Sequence, residues 1–156
     1  MFRFFAAAFL ILVIFFVLGV SQTFAPSRKS FPQATVRFGD TSFVLDIADT
    51  PAAQAAGLSG RPDIPERGGM VFVFDDAEEH TFWMKGMLTP IDIIWVRGDE
   101  ILGFVEHAGP PVPGARDEDL ERFPSPGAVD RVIELRAGSV KSLGLEPGQK
   151  VKISVP

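Results

Sequence analysis

The chain opens on an apolar run, Phe4 to Val20 of "MFRFFAAAFLILVIFFVLGVSQTFA", that no polar residue interrupts. In lipid such a run must be helical, because a helix satisfies its backbone groups internally. Its length falls between the core of a secretory signal and a membrane-spanning helix. Arg3 precedes the run and Arg28 and Lys29 follow it, so flanking charge barely separates the two orientations. Residues 1–25 are therefore expected to be either a cleaved signal peptide, with Gly19 and Ser21 at the small-residue positions, or a retained anchor. Residues 26–33, "PSRKSFPQ", read as a linker. The remainder, 34–156, is expected to be a single exported β-rich domain. It would be periplasmic or held on the outer side of the inner membrane, touching lipid only through residues 4–20.

From residue 34 onward the pattern becomes short extended runs punctuated by Gly, Pro and Asp. "ATVRFGDTSFVLDIA" reads as two strands joined at Gly39-Asp40. "DTPAAQAAG" predicts a short helix with Thr50 as N-cap, Pro51 at its first position and Gly57 ending it. Further strands are expected over Met70–Phe74, His80–Met84, Asp92–Val96, Ile101–Glu106, Arg131–Leu135 and Val151–Val155. A second short helix is expected near Ser139–Leu143, closed by Gly144, and the Pro-rich segment 109–127 reads as a loop wrapped over the sheet. "DDAEEH", residues 75–80, reads as a solvated turn. With no internal repeat and no regular βαβ alternation, a doubly wound parallel sheet is disfavoured. The expected class is mainly β (α+β): a small compact sheet or partly closed barrel with two short helices, preceded by the N-terminal apolar helix.

Composition narrows the chemistry. The 156 residues carry a formal charge of −5, and the domain without Arg3 would carry one more negative charge. An acidic domain without a basic face is a poor partner for nucleic acid. The chain has no cysteine, which excludes disulfides, thiolate metal sites and a thiol nucleophile. Nothing in it implies a cofactor.

Several ordered motifs then carry a resemblance. They are Ile47-Ala48-Asp49-Thr50, Gly57-Leu58-Ser59-Gly60-Arg61, Gly69 to Phe74 ("GMVFVF"), Phe82-Trp83-Met84-Lys85, Pro90 to Trp95 ("PIDIIW") and Val132 to Gly138 ("VIELRAG"). Together they resemble the domain-of-unknown-function 192 family over roughly residues 35–155. The resemblance implies a small β-rich fold, often exported in bacteria, and no defined activity. This chain departs from the family pattern at Gly86-Met87, where Asn-Thr is usual, and at Gln149, where Asp is usual.

"HTFWMKGMLTPIDIIW", residues 80–95, is the candidate site, because Lys85 and Asp92 interrupt an otherwise apolar stretch. Strand alternation puts His80, Phe82 and Met84 on one face, and Thr81, Trp83 and Lys85 on the other. A turn through Gly86 and Pro90 would let Lys85 and Asp92 meet, either as a structural ion pair or as a ligand-facing one. The leading expectation is a non-catalytic module that binds a small polar ligand or an envelope protein through Trp83, Lys85, Asp92, Glu106 and His107. One alternative is a metal-dependent or hydrolytic enzyme centred on His80, Glu106 and His107. Another is a structural partner-binding module. His80, Met84 and Met87 have soft-ligand character, but His80 and Met84 would stand about 13 Å apart on an extended strand. "GLSG" at 57–60 lacks the spacing of a nucleophile elbow.

Overall fold

The turn at Gly39-Asp40 forms as predicted. Strands β1 (Gln33–Phe38) and β2 (Thr41–Ala48) pair antiparallel with Phe38 opposite Thr41. Gly39 supplies the left-handed φ of 56° that a two-residue hairpin needs. This computed structural model describes residues 31–155. The expected apolar helix and most of the linker lie outside them. Helix α1 (Pro51–Ala56) starts where Thr50 Oγ1 accepts the N–H of Ala53 at 3.2 Å, and ends at Gly57.

Strand β3 (Gly69–Glu78) then runs parallel to β2, with Asp46 opposite Met70; the other pairings among the described strands are antiparallel. β3 is longer than its apolar core predicts. Asp75 to Glu78 belong to the strand, not to a turn, and stay exposed; the register with the partner strand is interrupted after Val73 and resumes at Glu78. Next come β4 (Thr81–Trp83), β5 (Ile91–Arg97) and β6 (Glu100–Ala108). The Pro-rich segment is more than a loop. It holds a 3₁₀ turn at Asp117–Asp119 and a short strand, β7 (Arg122–Pro124), which pairs with β4 as a separate two-stranded ribbon. Strand β8 (Val129–Arg136), helix α2 (Ser139–Leu143) and β9 (Val151–Ser154) complete the order.

The large sheet has the order β6-β5-β8-β3-β2-β1-β9 and curls into a half-barrel. Its two edge strands touch at one end. Ile101 N–H donates to the Gln149 carbonyl at 2.9 Å, Gly148 N–H to Ile101 at 2.7 Å, and Val151 N–H to Asp99 at 2.8 Å. Lys150 clasps the Asp99 and Glu100 carboxylates over this seam. Partial closure occupies backbone groups that open edges would otherwise offer to another chain.

Apolar side chains fill both faces of the central strands. One cluster holds Val36, Leu45, Val71, Ile94, Ile133 and Leu135, joined by Val140 and Leu145 from the α2 region. The opposite cluster holds Met70, Phe72, Ile91, Ile93, Trp95 and Val132. Leu58 and Ile64 from the α1–β3 connection and Phe123 of the ribbon cover it. Burial on both faces is why "PIDIIWV" and "RVIEL" read as nearly continuous apolar runs instead of alternating ones. Each run carries one carboxyl, and the period of two sends the two carboxyls to opposite faces.

Candidate functional site

Asp92 lies on β5 between Ile91 and Ile93, so it points with Ile94 and Val96 into the first cluster. It is fully buried, and its oxygens are satisfied by backbone. Oδ1 accepts the N–H of His107 at 2.9 Å and Oδ2 accepts the N–H of Val140 at 2.8 Å. The first bond pins a bulge in β6. Ile91 pairs with Ala108 and Ile93 with Val105, so Glu106 and His107 together stand opposite Asp92. The extra residue brings His107 to φ 55°, unusual for a residue with a Cβ. The second bond ties down the first turn of α2.

The expected Lys85–Asp92 pair therefore does not form. Lys85 leaves β4 on the other side of the sheet, exposed, and pairs there with Asp117 of the 3₁₀ turn. The pairing failed for a topological reason: a seven-residue turn can bring two side chains close only when they share a face. Of the five expected ligand-binding residues, Asp92, Glu106 and His107 gather at the bulge, while Trp83 and Lys85 line a cavity elsewhere. Glu106 and His107 are exposed and do not line that cavity.

The cavity, about 220 Å³, opens between α1, the start of β4 and the outer face of β3 and β8. Glu134 forms its floor. On β8 it sits opposite Ile93 on one side and Met70 on the other, both in the second apolar cluster. The residue is 5% exposed and its Oε2 has no hydrogen-bond partner. Burial pushes its carboxyl up from the ordinary 4.5 to about 8, opposed by the Arg61 guanidinium, which is itself held by Asp46 at 2.7 Å. At neutral pH Glu134 is thus a neutral acid.

His80 supplies the second polar group. Ser125 fixes its backbone from both sides: His80 N–H donates to Ser125 Oγ at 3.1 Å, and Ser125 N–H donates to the His80 carbonyl at 2.8 Å. The ring stacks on Phe74 with centroids 3.7 Å apart, and its Nε2 is buried without a partner. Among the described residues, Glu134 Oε2 and His80 Nε2 are the two buried side-chain polar atoms left unpaired, and both residues line this one cavity.

Phe72 and Phe82 meet edge to face at 4.8 Å and 85°, and Phe82 meets Trp95 at 5.4 Å and 81°. At the rim, Trp83 is 40% exposed. Its ring carries Arg122 at 4.1 Å and Lys85 at 5.4 Å, and Arg122 also donates to the Asp117 carbonyl. The cations and Asp117 hold the indole in place as a lip.

The other chemistries can be placed against this geometry. Ser59, His80 and Glu134 line the same cavity, yet the unpaired state of Nε2 and Oε2 means that neither links to a neighbour as a relay. His80 and Met87 line the cavity, and Met84, packed beside Met87 in the apolar cluster, is not part of the lining. Among the described residues no group of three or more His, Asp or Glu is placed to hold a metal ion. A larger hollow of about 440 Å³ lies beside α2, lined by Arg67 and Arg136, but no unpaired buried side-chain atom faces it.

Sequence reasoning missed Glu134, although the signal was present. A lone carboxyl inside "VIEL" is the counterpart of Asp92 inside "PIDII", and only Asp92 was singled out. The departures from the family pattern also fall into place. Gly86, at φ 69°, accepts the N–H of Gly60 at 2.8 Å, and a Cβ there would stand 2.2 Å from Ser59 Oγ. Met87 beside it forms part of the cavity wall. Gln149 is not part of the cavity lining and braces the turn after α2 by accepting the Glu146 N–H and donating to the Gly144 carbonyl.

Comparison with known proteins places this arrangement. The model of the DUF192 family, described as "Uncharacterized ACR", matches residues 34–153. No curated protein matches the chain. A crystal structure of a candidate transcription regulator from Sinorhizobium meliloti 1021 is similar at 25% identity and a TM-score of 0.67, over 78% of this chain and 92% of that one. A protein of unknown function from Novosphingobium aromaticivorans DSM 12444 is similar at 31% identity and 0.65, over 77% and 83%.

Proposed function

The chain belongs to the DUF192 family, and on that premise we propose that its β-domain is a non-catalytic binder of a small ligand, displayed outside the cytoplasmic membrane. One observation carries the reading: the two unpaired buried polar atoms, Glu134 Oε2 and His80 Nε2, belong to residues of the same cavity. An orphaned buried polar group costs about 1–3 kcal/mol, and a fold tolerates two beside one hollow when a ligand or water completes them. The volume corresponds to roughly seven waters of liquid, which suits a small ligand and not a polymer. Phenylalanine walls, a Trp83 lip and a polar floor are the parts from which small-molecule sites are built.

The uninterrupted run from Phe4 to Val20 supports export, by a cleaved signal or a retained anchor. An envelope partner that receives the liganded domain fits the same reading. Direct contact with nucleic acid is disfavoured by the formal charge of −5, so the regulator role given to the Sinorhizobium protein would reach this chain only through ligand sensing.

A thermal-shift screen of small polar and amphiphilic compounds tests the proposal, with Met87→Trp as a variant that fills the cavity. Compounds that raise the melting temperature of the parent should lose that effect in the variant. Equal shifts in the two proteins would move the binding site elsewhere.

A further inference from the structure

The geometry points to a small organic ammonium as the ligand, its cation seated among the aromatic rings and its charge met by Glu134. This assignment rests on the cavity being a ligand site. The first argument is the wall. Phe72, Phe74, Phe82 and Trp83 all line the space, and Phe72 and Phe82 stand perpendicular to one another. Ring faces carry negative quadrupole charge; they attract a cation and repel an anion. The rim already shows this chemistry, since the Lys85 ammonium lies 5.4 Å from the Trp83 centroid.

The second argument is the floor. Glu134 is the acidic residue of the lining, and its Oε2 lacks any donor. A neutral ligand would leave the carboxyl protonated and its basicity unused. An ammonium lets it ionise inside an apolar wall, because the two charges then compensate one another. The charged and titratable groups around Glu134 are His80 and Lys85 in the lining and Arg61 beyond it. Lys85 is paired with Asp117 and Arg61 with Asp46, and Arg61 offsets only part of the burial of Glu134. Binding then exchanges a proton for the ligand: the Glu134 O–H gives its proton to solvent, and the carboxylate left behind faces the cation.

Choline and dimethylbutanol, its uncharged isostere, separate the classes. Calorimetric titration of the full chain at about pH 7, in two buffers of different ionisation enthalpy, reads affinity and proton release together. Choline should bind at least about tenfold more tightly than the alcohol and release close to one proton. Glu134→Gln keeps the shape of the floor and should abolish both the preference and the release. Phe82→Leu should weaken choline more than the alcohol. Alcohol binding as tight as choline, with no proton released, overturns the ammonium assignment while sustaining the cavity as a ligand site. No heat from either compound at about 10 mM also overturns the assignment, and the thermal-shift screen then decides the wider reading by itself.

Discussion

Replacing Glu134 by Gln should change how the stability of this protein depends on pH, in a direction opposite to that of most carboxyls. In the folded chain burial holds the Glu134 proton up to about pH 8, whereas the ordinary value is 4.5. Between those two values the folded state binds a proton that the unfolded state has released, so stability falls as pH rises. The contribution is fully present below 4.5 and lost by about 8. At about 1.4 kcal/mol per pH unit, the loss is roughly 3 kcal/mol by pH 7 and about 5 kcal/mol once complete. Gln has nearly the shape of the protonated acid and does not titrate. The variant should therefore differ from the parent by a constant offset near pH 4, and gain roughly 3 kcal/mol on the parent between there and pH 7. Urea unfolding followed by tryptophan fluorescence would report this, since Trp95 is 2% exposed and Trp83 is 40% exposed in the folded chain. With a urea slope of about 1–3 kcal/mol/M, the midpoints should separate by about 1–3 M at neutral pH. Every other titrating group occurs in both proteins, so its effect cancels in the difference. A difference that stays flat from pH 4 to pH 8 would refute the argument, because Glu134 would then have to be ionised or paired in the folded chain.

Asp92→Asn leaves one acceptor for two N–H groups, the part-buried one of His107 and the buried one of Val140, and should cost about 1–3 kcal/mol in chemical denaturation while leaving ligand shifts unchanged. Stability within about 0.5 kcal/mol of the parent would deny Asp92 its bracing role. Gly69→Ala places a Cβ 2.2 Å from the Glu134 carbonyl oxygen, so β3 and β8 must separate beneath the cavity. It should cost about 3 kcal/mol or more and erase slow amide exchange along that strand pair. Lys85→Met breaks a pair whose side chains are 51% and 58% exposed, and should move the unfolding free energy by less than about 1 kcal/mol. A larger loss would mean that the Trp83 lip depends on that ammonium.

Much of the scaffold was legible because its signals are local. Gly39 must take a positive φ for the hairpin, Thr50 must offer an oxygen to the first turn of α1, and Gly57 must end it; each is decided within a few residues. The apolar cores of β5 and β8 were equally plain, since strands buried on both faces cannot hide their composition. What the chain order could not convey is which distant elements lie against which face. β7 was invisible inside the Pro-rich segment because three residues carry no period, and its partner β4 lies far back in the chain. The Lys85–Asp92 pair looked close in sequence and failed because alternation sent Asp92 to the inner face. Glu134, in a strand that the sequence marked correctly, became the floor of a cavity because α1, the β4–β7 ribbon and Phe72 closed over the outer face around it. Local backbone preference belongs to the sequence by itself. The convergence of His80 and Glu134 is a property of the sheet's curl and strand order, set by burial summed over residues far apart in the chain.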